Sequence, residues 1–343
     1  MNAMMKPVGR ALVLAAATMI AMPAFAADIT GAGASFPAPL YAKWGSAYKA
    51  ATGNALNYQS IGSGGGQTQI KARTVDFGAT DDPMKQEDII ANGLVQFPAV
   101  IGSEVLIVNL PGVATNQLRL TPAIIAGIYQ GKITKWNDPA IASVNAGVKL
   151  RAMPITPVYR SDSSGTTAIF TNYLVKTASN WTLGAGKALS WPTGQGGKGN
   201  DGVAGNVKNT VGSIGYVEYN YAAANHLTTT KLSNAAGVFV DPTPASFNAA
   251  ASQADWANAK HGVVNMLALP GAGTWPIVSS TYILVPAKPA DPAKTKAALA
   301  FFDWSYTNGD KLAAQLGYIP LPEIAVKQAR AIWAGVRGVS MPK

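Results

Sequence analysis

Apolar and polar residues along this chain fall into short blocks with one recurring order: a strand-like run, a polar turn, then a helix-like run. Ile29-Thr30 begins a strand, Gly31-Ala32-Gly33-Ala34-Ser35 turns the chain, and Leu40, Trp44, Ala47 and Ala51 follow at helical spacing up to Gly53. Leu56-Asn57-Tyr58 alternates as a second strand, and Gly62-Ser63-Gly64-Gly65-Gly66 reads as a loop opening a short helix over 67–73. Val75 to Ala79 predicts a third strand; Asp81-Asp82-Pro83 ends it and is expected to cap the helix that follows. Further on, Ile155-Thr156-Pro157-Val158-Tyr159 leads through Arg160-Ser161-Asp162-Ser163-Ser164-Gly165-Thr166 into a helix-like run over 167–174. Repeated strand–turn–helix units predict an α/β fold with mainly parallel sheets flanked by helices.

Two longer apolar stretches, Ala99 to Leu110 and Ile277 to Val285, are strand-like and unlike flexible linkers. Two such crossings imply a discontinuous first lobe, residues 27–105 plus 278–343, and a second lobe, residues 106–277. Residues 293–307, with Leu299, Phe302 and Tyr306, and residues 322–333 read as helices whose aromatic side chains belong to the core. In open α/β sheets ligands bind beyond the carboxyl ends of strands. The polar turns at Ser35-Phe36, Ser63, Asp81 and 160–166 therefore define the candidate site.

The first 26 residues stand apart. Lys6 and Arg10 precede an apolar run, Ala11 to Ala21, broken only by Thr18, and Ala24-Phe25-Ala26 has the small-x-small pattern of a signal-peptidase site. The run is too short to span a membrane, so export with cleavage after Ala26 is expected, into a bacterial periplasm. The chain has no Cys, which excludes a lipid-modified Cys anchor, disulfides and thiolate metal sites. Removing residues 1–26 leaves 317 residues with 25 Lys+Arg against 17 Asp+Glu, a formal +8. The basic residues are scattered singly, unlike the clusters that bind nucleic acid, and suit attraction of a small anion.

The only histidines, His226 and His261, lie in polar contexts away from any activated serine, and Ser164-Gly165 is not in a Gly-x-Ser-x-Gly elbow. No ligand-spaced His or Cys pair suggests a metal, position 36 is Phe where a dinucleotide fingerprint needs glycine, and residues 62–66 lack the Lys-Ser/Thr of a P-loop. What remains is a donor-rich set: hydroxyls of Ser35, Ser63, Ser164 and Thr166, amides of Phe36 and Gly165, and the Arg160 guanidinium. The free N–H groups and dipole at a helix N-terminus, with an arginine fork, suit a tetrahedral oxyanion. Each serine or glycine alone also fits ordinary turn and cap chemistry. Asp81 is the odd member, a carboxylate facing the same cleft.

Six motifs occur in order: Gly31-Ala32-Gly33-Ala34-Ser35-Phe36-Pro37, Ile61-Gly62-Ser63-Gly64-Gly65-Gly66, Val75-Asp76-Phe77-Gly78-Ala79-Thr80-Asp81, Gly131-Lys132-Ile133-Thr134-Lys135-Trp136-Asn137-Asp138, Arg160-x-Asp162-x-Ser164-Gly165-Thr166, and Ile214-Gly215-Tyr216-Val217-Glu218. Together they resemble the periplasmic phosphate-binding proteins of ABC-type phosphate importers, the PstS family, over essentially the whole mature chain. Ser35-Phe36 stands where many members have Thr-Phe, a change of one methyl. The resemblance implies a two-lobed, type II-like binding-protein fold that closes on one phosphate ion and delivers it to membrane permease subunits. It implies a monomer with no enzymatic activity, catalytic residue, cofactor or metal. Carried over by motif, the phosphate ligands are Ser35, Phe36, Ser63 and Asp81 from one lobe and Arg160, Ser164, Gly165 and Thr166 from the other, with Asp162 orienting Arg160. Arsenate or sulfate binding, and a secreted phosphatase-like hydrolase using Ser164, are the alternatives. Phosphate near neutral pH keeps a proton and sulfate keeps none, so Asp81 as an acceptor is expected to set that choice; Asp82 is its rival.

Overall fold

The structure, a computed structural model, describes residues 28–341; the expected leader and its cleavage site lie outside them. The strands in chain order are β1 (Asp28–Gly33), β2 (Ala55–Ser60), β3 (Phe77–Thr80), β4 (Leu94–Val108), β5 (Arg119–Leu120) and β6 (Thr156–Arg160). They continue with β7 (Gln195–Gly197), β8 (Ser213–Glu218), β9 (Thr228–Thr229), β10 (Lys231–Ser233), β11 (Phe239–Val240) and β12 (Val278–Pro286). Among the described residues one large sheet has the order β2-β1-β3-β12-β4-β8-β6-β7, with β9 beside β4; β11, β10 and β5 form a separate small sheet.

The flanking strands pair parallel, β1 with β2 and β3, and β6 with β7 and β8. The central ones run antiparallel: β12 to β3 and to β4, and β4 to β8. The change of partner happens within β4. Its residues up to Ser103 pair with β12, and from Glu104 onward they pair with β8. One fifteen-residue apolar strand is thus shared by both halves of the sheet. Buried on nearly every residue, β4 and β12 show the continuous hydrophobic run of strands covered on both faces.

Helices cover each half. Ala38–Thr52 buries Leu40, Tyr41, Trp44 and Tyr48, and ends at Gly53 in the left-handed region with φ 81°, as the sequence spacing predicts. Phe302, on the helix Pro292–Asn308, packs edge-on against Tyr41, Phe77 and Phe97, so this aromatic set is core. In the other half Tyr129, Phe170 and Tyr216 form a second aromatic set, Phe170 stacked on Tyr216 and edge-on to Tyr129.

Two local expectations need correction. The glycine-rich segment is not a loop before a helix: the helix runs Ser63–Lys71 and contains Gly64, Gly65 and Gly66. Glycine is a poor helix former, but a Cβ at Gly66 would lie 2.6 Å from Gly33 Cα and 2.7 Å from two backbone oxygens of β1 and β3. The helix lies too close to the sheet for any side chain. Gly66→Ala is expected to destabilise the fold by about 2 kcal/mol through overpacking, despite alanine's higher helix propensity; urea unfolding checks this. Nor does Asp81-Asp82-Pro83 cap the next helix. Gln86–Ala91 starts after Lys85 with no side-chain cap, because Asp81 is buried and the Asp82 carboxylate pairs with Lys187.

Candidate functional site

The polar turns converge where the two halves of the sheet face each other. Ser35, just past β1, is buried; its Oγ accepts from the Asn200 amide N–H at 3.2 Å and from Asn200 Nδ2 at 2.9 Å. Its carbonyl accepts from the Tyr221 hydroxyl at 2.6 Å, and the Phe36 carbonyl accepts from the Tyr318 hydroxyl at 2.6 Å. These bonds consume the carbonyls, which would repel an anion. Ser63, first residue of its helix, accepts at Oγ from the Asp81 amide at 3.1 Å and donates to Asp81 Oδ2 at 3.3 Å. Asp81 is 2% exposed, and its Oδ1 is buried without a hydrogen-bond partner.

From the other half, Arg160 ends β6 and presents its guanidinium edgewise to Asp162. Nε donates to Oδ1 at 2.8 Å and Nη2 to Oδ2 at 2.6 Å, while Nη1 donates to Thr166 Oγ1 at 3.0 Å. The Gly199 amide also donates to Asp162 Oδ1, at 3.1 Å. Asp162 thus fixes the plane of the guanidinium. Ser164 caps the helix Gly165–Thr177, its Oγ accepting from the Thr167 amide at 3.1 Å. A Cβ on Gly165 would lie 2.7 Å from Asp81 Cβ, so the first turn of this helix can meet Asp81 only if it begins with glycine. All nine expected residues come together.

Burial is the dominant electrostatic influence. It pushes the Asp81 carboxyl up from 3.8 to about 7, against the pull toward the charged form of Arg160, of Ser63 and of the nearby Thr281 hydroxyl, whose own hydrogen bond goes to the Thr80 carbonyl at 3.4 Å. Burial also acts upward on Asp162, but the Arg160 fork and the Gly199 amide outweigh it and hold that carboxyl below its ordinary value. Arg160 and Asp162 nearly cancel as charges, so the cleft offers aimed N–H and O–H groups more than net charge.

Asn200 was not singled out from sequence. It is fully buried, joins Ser35 of one half to Thr166 of the other at 2.9 and 3.4 Å, and its Oδ1 accepts from the Glu218 amide at 3.0 Å. Its signal was present: Gln195–Gly197 then the helix Gly199–Asn209 is one more strand–glycine turn–helix unit. Lys187 was also missed. Its Nζ reaches Gln67 Oε1 at 2.8 Å and Asp82 Oδ2 at 3.0 Å, tying the halves together at the rim. The Gly64 amide adds a third tie, to the Ser163 carbonyl at 2.9 Å. His226 and His261 are exposed and take no part.

A family model described as a PBP superfamily domain matches residues 21–308. The Phosphate-binding protein PstS of Pasteurella multocida (strain Pm70) is 51% identical over 310 residues, covering 90% of each chain. The protein of that name from Haemophilus influenzae is 50% identical over 308 residues, 89% of this chain and 92% of the relative. Among solved structures, the high-affinity periplasmic phosphate-binding protein PfluDING, bound with phosphate, superposes with a TM-score of 0.74 at 22% identity, covering 92% of this chain and 99% of that one. A phosphate-binding protein from Stenotrophomonas maltophilia gives 0.65 at 22% identity, covering 93% and 100%. At this identity the likeness shows the fold, a two-lobed α/β binding-protein architecture.

Proposed function

The chain belongs to the PstS family of phosphate-binding proteins, and from that premise we propose that it captures inorganic phosphate between two lobes in the periplasm and delivers it to an ABC-type importer. It is a transport component and not an enzyme. Lobe I comprises residues 27–105 plus 278–343 and lobe II residues 106–277, β4 being the main crossing; the leader is cleaved after Ala26. The ion is held by the hydroxyls of Ser35, Ser63, Ser164 and Thr166, the amides of Phe36 and Gly165, the Arg160 guanidinium and the Asp81 carboxylate. Asn200 aligns the Ser35 and Thr166 hydroxyls from the rear.

The observation that carries this reading is Asp81. A buried, unpartnered carboxylate oxygen next to an arginine and a helix N-terminus suits an oxyanion that brings its own proton. Contacts from both lobes mean that ligand binding favours the closed form. The test is calorimetry on protein stripped of ligand by unfolding and refolding. Phosphate is expected to saturate one site, arsenate to compete because it too is protonated, and sulfate to give no heat at comparable concentration. Sulfate binding as tight as phosphate, or turnover of a phosphomonoester, would overturn the reading.

A further inference from the structure

Glu104 is the first residue of β4 to pair with β8, and its partner across the ladder is Glu218. Directly opposed residues of an antiparallel pair project from the same face, with Cβ atoms about 5 Å apart. Both side chains are 0% exposed. Glu218 Oε2 accepts from the Tyr318 hydroxyl and the Asn220 amide, each at 2.9 Å. Glu218 Oε1 and both carboxyl oxygens of Glu104 are buried without a partner. Glu104 cannot escape by a strand shift. Its amide donates to the Ile277 carbonyl at 3.0 Å and its carbonyl accepts from Trp275 Nε1 at 2.7 Å.

The charged and titratable groups around the pair are few. Asp81 follows β3, Arg160 ends β6 with Asp162 already on its fork, Tyr216 lies on β8, Tyr318 is bonded to Glu218, and Tyr221 lies within electrostatic reach of Glu218. Glu104 lies within electrostatic reach of both Asp81 and Arg160. Among these groups three carboxyls share a buried region with one guanidinium that a fourth carboxylate has neutralised. Burial pushes Glu104 up, reinforced by the Asp81 charge, and burial pushes Glu218 up against its two donors. Opposed carboxylates avoid this repulsion by retaining a proton, which also gives an orphaned oxygen a partner.

Resting on the phosphate reading above, we propose that Glu104 and Glu218 share a proton beside the anion cleft, and that losing it to alkaline solvent weakens phosphate binding by adding an uncompensated negative charge. Glu104 is thereby a positioning and pH-setting residue that need not touch the ion. Glu104→Gln keeps the shape and removes the titration, and Glu104→Leu, apolar like its neighbours, serves if the amide variant does not fold.

The experiment measures the phosphate Kd of the parent and the variant at about pH 6 and about pH 9; the phosphate's own ionisation cancels in the comparison. The parent is expected to lose about tenfold more affinity across this range than E104Q, the scale of one charge acting over several ångströms in a protein interior. Equal losses overturn the proposal. Melting temperatures of phosphate-free protein over the same range form the second arm. A carboxyl whose folded pKa is raised gives stability that is full below its ordinary value of 4.5 and is lost as pH rises through the folded value. The parent should therefore fall in melting temperature relative to E104Q toward high pH, and parallel curves overturn the shared proton. Failure of the phosphate reading shows separately, as no binding by either protein at any pH.

Discussion

Asp81→Asn is expected to collapse the preference for phosphate over sulfate by roughly three orders of magnitude, the dominant part of the 10⁴–10⁵-fold that a polar mismatch in a buried site can supply. The ionised carboxylate accepts a proton and offers none. A protonated phosphate satisfies it, whereas sulfate sets a lone pair against a charge that is 2% exposed and has one oxygen unpartnered. An Asn amide presents both a donor and an acceptor, so sulfate gains a bond while phosphate loses only the charge assistance. Competition calorimetry with both ions checks the ratio. Asp82→Asn is the control. The Asp82 side chain is 33% exposed and bound to Lys187 at 3.0 Å, so discrimination should stay at the parent value. A parent-like ratio in D81N would remove Asp81 from this role.

The same carboxyl predicts a pH dependence of a definite sign. With Asp81 pushed up to about 7, the unliganded site holds a carboxylate above neutrality and a carboxylic acid below it. The acid form donates a hydrogen bond, which is what sulfate accepts. Discrimination by the parent protein should therefore narrow as pH falls through about 7, by improvement of sulfate binding. D81N should show a flat ratio over the same range.

How far the sequence carries is clearest at individual residues. Ser35, Ser63, Asp81 and the 160–166 turn were legible because each ends a strand with residues chosen for turn and cap chemistry. That placement fixes which end of the sheet they occupy before any packing is known. The helical state of Gly64–Gly66 was not legible, because three glycines read locally as a loop. Close approaches explain the outer two, Gly66 to Gly33 and Gly64 to Ser163, and those are tertiary facts. Lys187 contacts Gln67 and Asp82 more than a hundred residues away, from a segment with no periodic pattern. Glu104 sits inside one of the longest apolar runs in the chain. Strand pattern locates the run in the core, but only the register with β8 reveals that the carboxyl opposes Glu218. Local chemistry thus announced the residues that meet in the cleft, while the groups packed behind them depend on strand register and on contacts between the two halves of the sheet.

Arg160→Lys separates affinity from selectivity. Arg160 is 3% exposed and uses three different nitrogens: two on Asp162 and one on Thr166. A lysine ammonium is a single point that cannot keep the bidentate pair and also face Thr166. Asp162 would then be left partly buried and underpaired, and the helix-terminal donors would have beside them an ammonium placed differently from the guanidinium. Disturbing one partner of such a buried, hydrogen-bonded charge pair costs about 2–5 kcal/mol, so phosphate affinity should fall roughly 30-fold to several thousand-fold. The loss should not depend on the ion's proton. In an Asp81→Asn background, where both ions bind, R160K is expected to weaken phosphate and sulfate by the same factor; unequal factors would mean that Arg160 also takes part in the choice. The two residues nonetheless communicate, since the Arg160 charge helps hold Asp81 down to about 7. Moving that charge away from Asp81 lets the carboxyl rise further. In the single R160K variant the pH at which sulfate discrimination narrows should therefore move upward, a shift that lost packing at Arg160 would not by itself produce.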